Sequence, residues 1–265
     1  MSQSAPATPA LDSATPVRVS RRSDGLSIVS LLGMPIFLAI IGGATYWWIH
    51  SQELDSIERR VLTKDELVER TVQHLQLTVV STIIVLVIAV PLGIMLTRRW
   101  ARHAVPVVLG IGNIGQGVPS IGLLAVIYAL FGTLGFKPVV VGLVAYSALP
   151  ILRNTMVGLQ QVDRTLIKAS RGMGMSPFQV LTRVELPLAF PVMIAGLRIA
   201  LILNVGTAAL AVFFGAGGLG YIIFNGIGLN RTTILVTGVV LVSGLALLVD
   251  YLGGLLGILL SPRGL

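Results

Sequence analysis

The chain has 265 residues, 54% of them hydrophobic and only 11% charged, with a formal net charge of +8. That charged fraction is less than half the ~25% usual in a soluble domain, and the mean hydropathy is +0.90. A water-soluble enzyme, a disordered protein and a nucleic-acid-binding domain are therefore disfavoured. The 30 glycines sit among mostly aliphatic residues, a mixture that suits transmembrane helices, whose backbones approach closely at small side chains. Cysteine is absent, which excludes disulfides and thiol chemistry.

Residues 1–24 are rich in Ser, Ala, Pro and Thr without apolar periodicity and read as a disordered cytoplasmic tail. Arg21 and Arg22 precede an apolar run from Ile28 to Ile49. This run exceeds the ~7–15 residues of a signal-peptide core. It ends in Tyr46, Trp47 and Trp48 rather than a small-residue cleavage pattern, so an uncleaved anchor with an aromatic belt is expected. With the segment up to residue 70 it forms a first unit, 25–70. Residues 50–74 carry both signs of charge, with Glu66 and Arg70 at i,i+4 spacing. They fit either an external amphipathic helix or a solvated connector.

Further apolar runs lie at about 75–96, 105–131, 138–159, 188–214 and 234–260. Each can supply the ~20 residues that a span requires. The expectation is an all-α integral membrane protein of about six transmembrane helices, with its core domain over residues 71–260. Gly110, Gly112, Gly115, Gly117 and Pro119 interrupt the third run. Irregular backbone survives at membrane depth only against protein or water, so 112–120 is a candidate pathway-lining segment.

Placing the N-terminus in the cytoplasm puts Arg18, Arg21, Arg22, Arg98, Arg99, Arg102, Arg153, Arg164, Lys168, Arg171, Arg183 and Arg263 on that side. Arg59, Arg60, Lys64, Arg70, Lys137 and Arg231 are then external, where Glu53, Asp55, Glu58, Asp65, Glu66 and Glu69 balance them. The two-to-one basic excess inside is what orientation in a cell membrane requires. The net positive charge is thereby explained without nucleic acid.

The loop at 160–187 carries the most information. Asp163 can cap a helix with Leu166, Ile167 and Ala169 near one face. Gly172-Met173-Gly174 breaks it, glycine accepting a positive φ. Ser176, Pro177 and Gln179 then spell a second start with a capping box, followed by the apolar positions Phe178, Leu181 and Val184. Pro187 is expected to end this second helix. Apolar residues exposed on such a helix–turn–helix fit a partner surface, or a loop folded onto its own bundle.

Lys168-Ala169-Ser170, Gly174 and Val184-Glu185-Leu186-Pro187 resemble the loop of bacterial ABC-importer permeases, whose pattern is Glu-Ala-Ala, three residues, Gly, nine residues, Ile-x-Leu-Pro. Pro150-Ile151-Leu152-Arg153-Asn154-Thr155, Gly117-Val118-Pro119-Ser120, residues 171–177 and residues 214–220 resemble the osmoprotectant branch, which imports glycine betaine, carnitine, choline or proline. The resemblance covers about 71–260 and implies a methionine-permease-like fold. Residues 160–187 would form a coupling loop on a separate ABC ATPase, with Lys168, Ala169, Ser170, Gly172, Gly174, Met175, Ser176, Pro177, Phe178, Glu185 and Pro187 at the contact. It also implies a second permease subunit, identical or homologous, and an external substrate-binding protein. Lys168 replaces the family's glutamate and Ser170 its second alanine, so any salt bridge that the glutamate makes is in question here. The chain has no G-x-x-x-x-G-K-[ST] phosphate loop, so ATP hydrolysis is expected in the partner.

Arg198 and Asp250 are the ionisable residues placed inside spans, each costing roughly 2.5–3.5 kcal/mol at mid-membrane. Both count to about 15 Å from the cytoplasmic ends of their spans, so an ion pair is expected. Asn113, Gln116, Pro119, Ser120, Tyr146 and Asn204 are candidate translocation-path residues, with helix–helix hydrogen bonding the plainer role for the amides. Tyr128, Tyr146, Phe213, Phe214 and Tyr221 offer aromatic faces to a quaternary ammonium ion. Gly215, Gly217 and Gly220 spell G-x-G-x-x-G without a preceding strand, which fits a backbone turn better than a dinucleotide site. His74 and His103 have no metal-site spacing; neither metal nor cofactor is expected. The rival readings are an ABC permease for amino acids such as methionine and, from another class, an ion-coupled secondary transporter or channel. The latter calls for further intramembrane acids.

Overall fold

The computed structural model describes residues 28–260, with side chains from Leu31 onward. The tail expected at 1–24 and Arg263 lie outside the described residues. The helices are α1 (Ile28–His50), α2 (Ser56–Val61), α3 (Lys64–Leu96), α4 (Val105–Gly117), α5 (Ser120–Phe131), α6 (Phe136–Gln161), α7 (Arg164–Gly172), α8 (Pro177–Val180), α9 (Leu186–Ala208), α10 (Gly220–Gly228) and α11 (Thr232–Leu260). By length and composition α1, α3, α6, α11 and the stretch 177–214 containing α9 can each cross a bilayer. A sixth crossing is made if the bent pair Arg99–Gly117, which contains α4, and α5, with 106° between them, counts as one span. Val118 precedes Pro119, which disfavours helical backbone there; both residues are extended, with ψ at 133°. The break is confined to these two residues, because 112–117 is helical rather than irregular.

Helices α3, α6 and α9 form the centre. Leu77, Val139, Leu143 and Ala208 fill one end of it, Val85, Ile151, Leu152 and Ala200 the middle, and Leu159, Val162 and Ala189 the other end. Backbones also approach closely along the seam between α6 and α9. A Cβ on Gly196 would lie 2.8 Å from the Pro150 carbonyl oxygen, and one on Gly158 would lie 2.9 Å from that of Ala189. Such approach of backbones replaces the hydrophobic drive that lipid does not provide. Helix α1 stands at the edge and packs against α11, where the Tyr251 hydroxyl donates to the Leu31 carbonyl.

Three differences from the sequence expectation have local causes. Helix α3 starts at Thr63, whose hydroxyl accepts the Glu66 N–H, so residues 64–74 are its first turns and not a separate amphipathic helix. Pro187 does not end a helix: the chain is helical from Pro177 into α9. A π-helical turn over Leu181–Glu185, with the Leu186 N–H on the Leu181 carbonyl, widens the backbone where a proline ring would otherwise meet the carbonyl four residues back. Lastly, α10 was not expected. After α9 a 3₁₀ turn (Ala209–Phe214) leads into Gly215, Gly217 and Gly218 at φ 72°, 73° and 89°, and the chain doubles back to lay α10 against α11.

Candidate functional site

The segment between α6 and α9 is a rigid cap on one end of the bundle. Asp163 accepts the Thr165 N–H at 2.7 Å to start α7. That bond holds its carboxyl below the usual carboxylate range. The end of α7 closes with two backbone bonds, Gly174 N–H to Arg171 and Met175 N–H to Ser170, made possible by Gly174 at φ 85°. Ser176 and Gln179 then exchange side-chain and backbone bonds at 3.3 and 2.8 Å, a complete capping box. Ile167 and Leu181 pack inward against Leu159, Val162 and Ala189.

Facing outward are Leu166, Met173 and Phe178, exposed by 46%, 75% and 72%. Lys168, Ala169, Gly172, Gly174, Ser176 and Pro177 share the exposed cap, and Met175 is half-buried. Two expected contact residues lie elsewhere. Ser170 is buried, its hydroxyl donating to the Leu166 carbonyl. Glu185 is also buried and takes a forked pair from Arg98 at the end of α3, with its shorter contact 2.6 Å. Pro187 is half-buried within the helix. Met173 escaped the sequence reading, although its place between two glycines already set it at a turn; Arg98 escaped because its partner is 87 residues away.

The candidate path residues divide. On α4, Asn113 accepts a hydrogen bond from Arg153 of α6, and the Gln116 side chain donates to the Tyr146 carbonyl at 3.1 Å. Pro150 lacks the N–H that would satisfy Tyr146 in a regular helix, so Gln116 fills the place it leaves. Pro119 lies exposed at the break and Ser120 begins α5. Asn204 is not with them: it is fully buried and donates to the Thr82 hydroxyl of α3 at 3.0 Å. Arg153, counted above among cytoplasmic residues, lies within α6, exposed on that helix. The orientation count loses one base by this and keeps its sign.

Arg198 of α9 and Asp250 of α11 meet in a two-pronged pair, both prongs at 2.8 Å. Gly253 and Gly254 make room for it, a Cβ on Gly253 lying 2.9 Å from the Arg198 side chain. The aromatic rings do not converge into a cage. Tyr128 meets Phe214, Phe213 meets Phe224, and the Arg70 guanidinium covers Tyr221 at 3.9 Å. His74 is buried, with one ring nitrogen on the Val205 carbonyl and the other accepting the Leu219 N–H.

A bundle of apolar helices with a bent helix pair and a capped segment joining α6 to α9 fits a membrane transport permease. The chain matches the family described as binding-protein-dependent transport system inner membrane component over residues 89–258, and it belongs to that family. It is 40% identical over 200 residues to the choline transport system permease protein OpuBB of Bacillus subtilis, covering 76% of this chain and 91% of that one. It is 37% identical over 238 residues to the osmoprotectant import permease protein OsmY of Salmonella typhimurium, covering 90% and 98%. Among solved structures the inward-facing methionine ABC transporter MetNI aligns with TM-score 0.68 and 29% identity, over 76% of this chain and all of that one. The chain is thus an inner-membrane permease component of an ABC importer, a type of machine that includes an ATPase and a substrate-binding protein.

Proposed function

We propose that this permease carries compatible solutes of the glycine betaine, carnitine, choline or proline kind. Two permease subunits, identical or homologous, would assemble with two ATPase subunits and an external binding protein. The N-terminus and the cap lie in the cytoplasm, and residues 160–187 form the coupling loop. The observation that carries this reading is the exposed apolar triad Leu166, Met173 and Phe178, presented by two helices whose starts are both capped. An uncommitted apolar surface of this kind suits a groove on a partner. Lys168 is exposed on the same helix with no ionic partner among the described residues, so the groove it enters should offer an acid. The names of the two curated relatives support the solute class. Supporting the ABC reading against an ion-coupled carrier, Asp250 already has its partner in Arg198.

The test is uptake of labelled glycine betaine, choline, proline and methionine by the complete complex in proteoliposomes. ATP-dependent uptake of a quaternary amine is expected, and Phe178→Asp should release the ATPase on co-purification. Uptake that runs without ATP would overturn the transport class. Uptake of methionine alone would overturn the solute.

A further inference from the structure

Beside the coupling cap, but outside it, a cavity of about 700 Å³ opens between the α3–α4 junction and the start of α7. Arg98, Arg99, Arg102 and Arg164 line it, with Thr97 and Gln160. Of these only Arg98 has an acidic partner, Glu185. Arg99, Arg102 and Arg164 make no ion pair among the described residues. Three exposed guanidinium groups without acidic partners around one hollow give it a positive potential that favours an anion. Guanidinium forks match phosphate oxygens, which they bind in pairs.

Surroundings of the cavity say which anion. Trp100 stands next to it, 71% exposed, as aromatic residues do at the headgroup level of a bilayer. From its rim, at Val105 and Pro106, helix α4 runs away with Val107, Ile111 and Ile114 exposed by 63%, 67% and 71%. Their i, i+4, i+7 spacing makes one apolar stripe. A basic hollow at headgroup level, beside an exposed tryptophan and a helix that turns an apolar stripe outward, suits the phosphate of a membrane lipid.

We infer that this cavity is a binding site for the headgroup of an anionic phospholipid, with Arg99, Arg102 and Arg164 on the phosphate. The orientation proposed above decides only the leaflet, which would be the cytoplasmic one. There the site would pin the entry to the broken span, next to the cap that receives the drive.

Native mass spectrometry of the full-length permease, titrated with phosphatidylglycerol or phosphatidylcholine, tests this independently of transport. Tight retention of phosphatidylglycerol over phosphatidylcholine is expected. Each of Arg99→Gln, Arg102→Gln and Arg164→Gln should weaken it about fivefold, with the single variants run alongside the triple in case the triple does not fold. Arg171→Gln with Arg183→Gln, on the same basic face but away from the cavity, should leave it unchanged. Equal weakening by that control pair would reduce the effect to general surface charge and overturn the site. Displacement of the lipid by inorganic phosphate would overturn the lipid as its occupant. Displacement by a docked ATPase would assign the cavity to the subunit interface instead.

Discussion

Two of the arginine–carboxylate pairs join helices of the bundle in contrasting places. Arg198–Asp250 joins α9 to α11 within the membrane, while Arg98–Glu185 joins the end of α3 to the π-helical turn beneath the cap. Both are two-pronged. The first ties two helices that run side by side, each lacking any other route to satisfy its charge in hydrocarbon. The second ties the one irregular turn through which any movement of the cap must pass into α9. Equal chemistry therefore sits in two settings, a seam between two long helices and the joint between the cap and α9.

Removing Asp250 breaks the first pair and should have the largest effect. Asp250→Asn leaves Arg198 unpaired at a cost of roughly 2.5–3.5 kcal/mol, so little folded permease should reach the membrane. Adding Arg198→Gln to the same chain should restore it, measured as monodisperse protein after extraction. If both single variants assembled normally, the pair would have no structural part.

Glu185→Gln should separate the two roles. The charge-assisted bonds from Arg98 are worth about 1.5–3 kcal/mol, but Arg98 sits at the bundle's edge, with its side chain 32% exposed, and water can take over. The expected result is folded permease at near-normal yield, with transport per ATP hydrolysed lowered several-fold. A loss of yield equal to that of Asp250→Asn would erase the distinction between the pairs.

The sequence reveals one pair and hides the other for a physical reason. Arg198 and Asp250 stand out because charge inside an apolar run is rare, and counting turns puts them at one depth. Arg98 and Glu185 lie among other charges at span ends, where nothing local marks a partner. The same contrast governs the fold. Caps and breaks are local, so Asp163, Gly174, Ser176 and Pro119 could be read directly. The continuity through Pro187 and the return helix α10 depend on backbone accommodation and on packing against α11. Those are tertiary effects, as is the burial of Asn204 against Thr82, which made a polar span residue look like part of a path.

A third carboxylate sharpens the comparison because it has no arginine at all. Asp163 is exposed and serves only the α7 N-terminus, its carboxyl held below the ordinary range by the Thr165 N–H. A depressed pKa in the folded state means that its contribution is fully present above the unfolded value of 3.8 and is lost as pH falls through the folded one. Hydrogen exchange of α7 amides, taken relative to the intrinsic rate at each pH, should therefore be flat from neutral pH down to about 4 and accelerate below it. Asp163→Asn, which keeps an acceptor at the cap without a titrating group, should remove that acceleration. The effect should stay within α7 and leave the α9–α11 amides unchanged. Acceleration that spread to α9 in step with α7 would mean that cap and bundle open as one unit. The Arg98–Glu185 tie would then make the cap and α9 one body, with no independent opening of the cap.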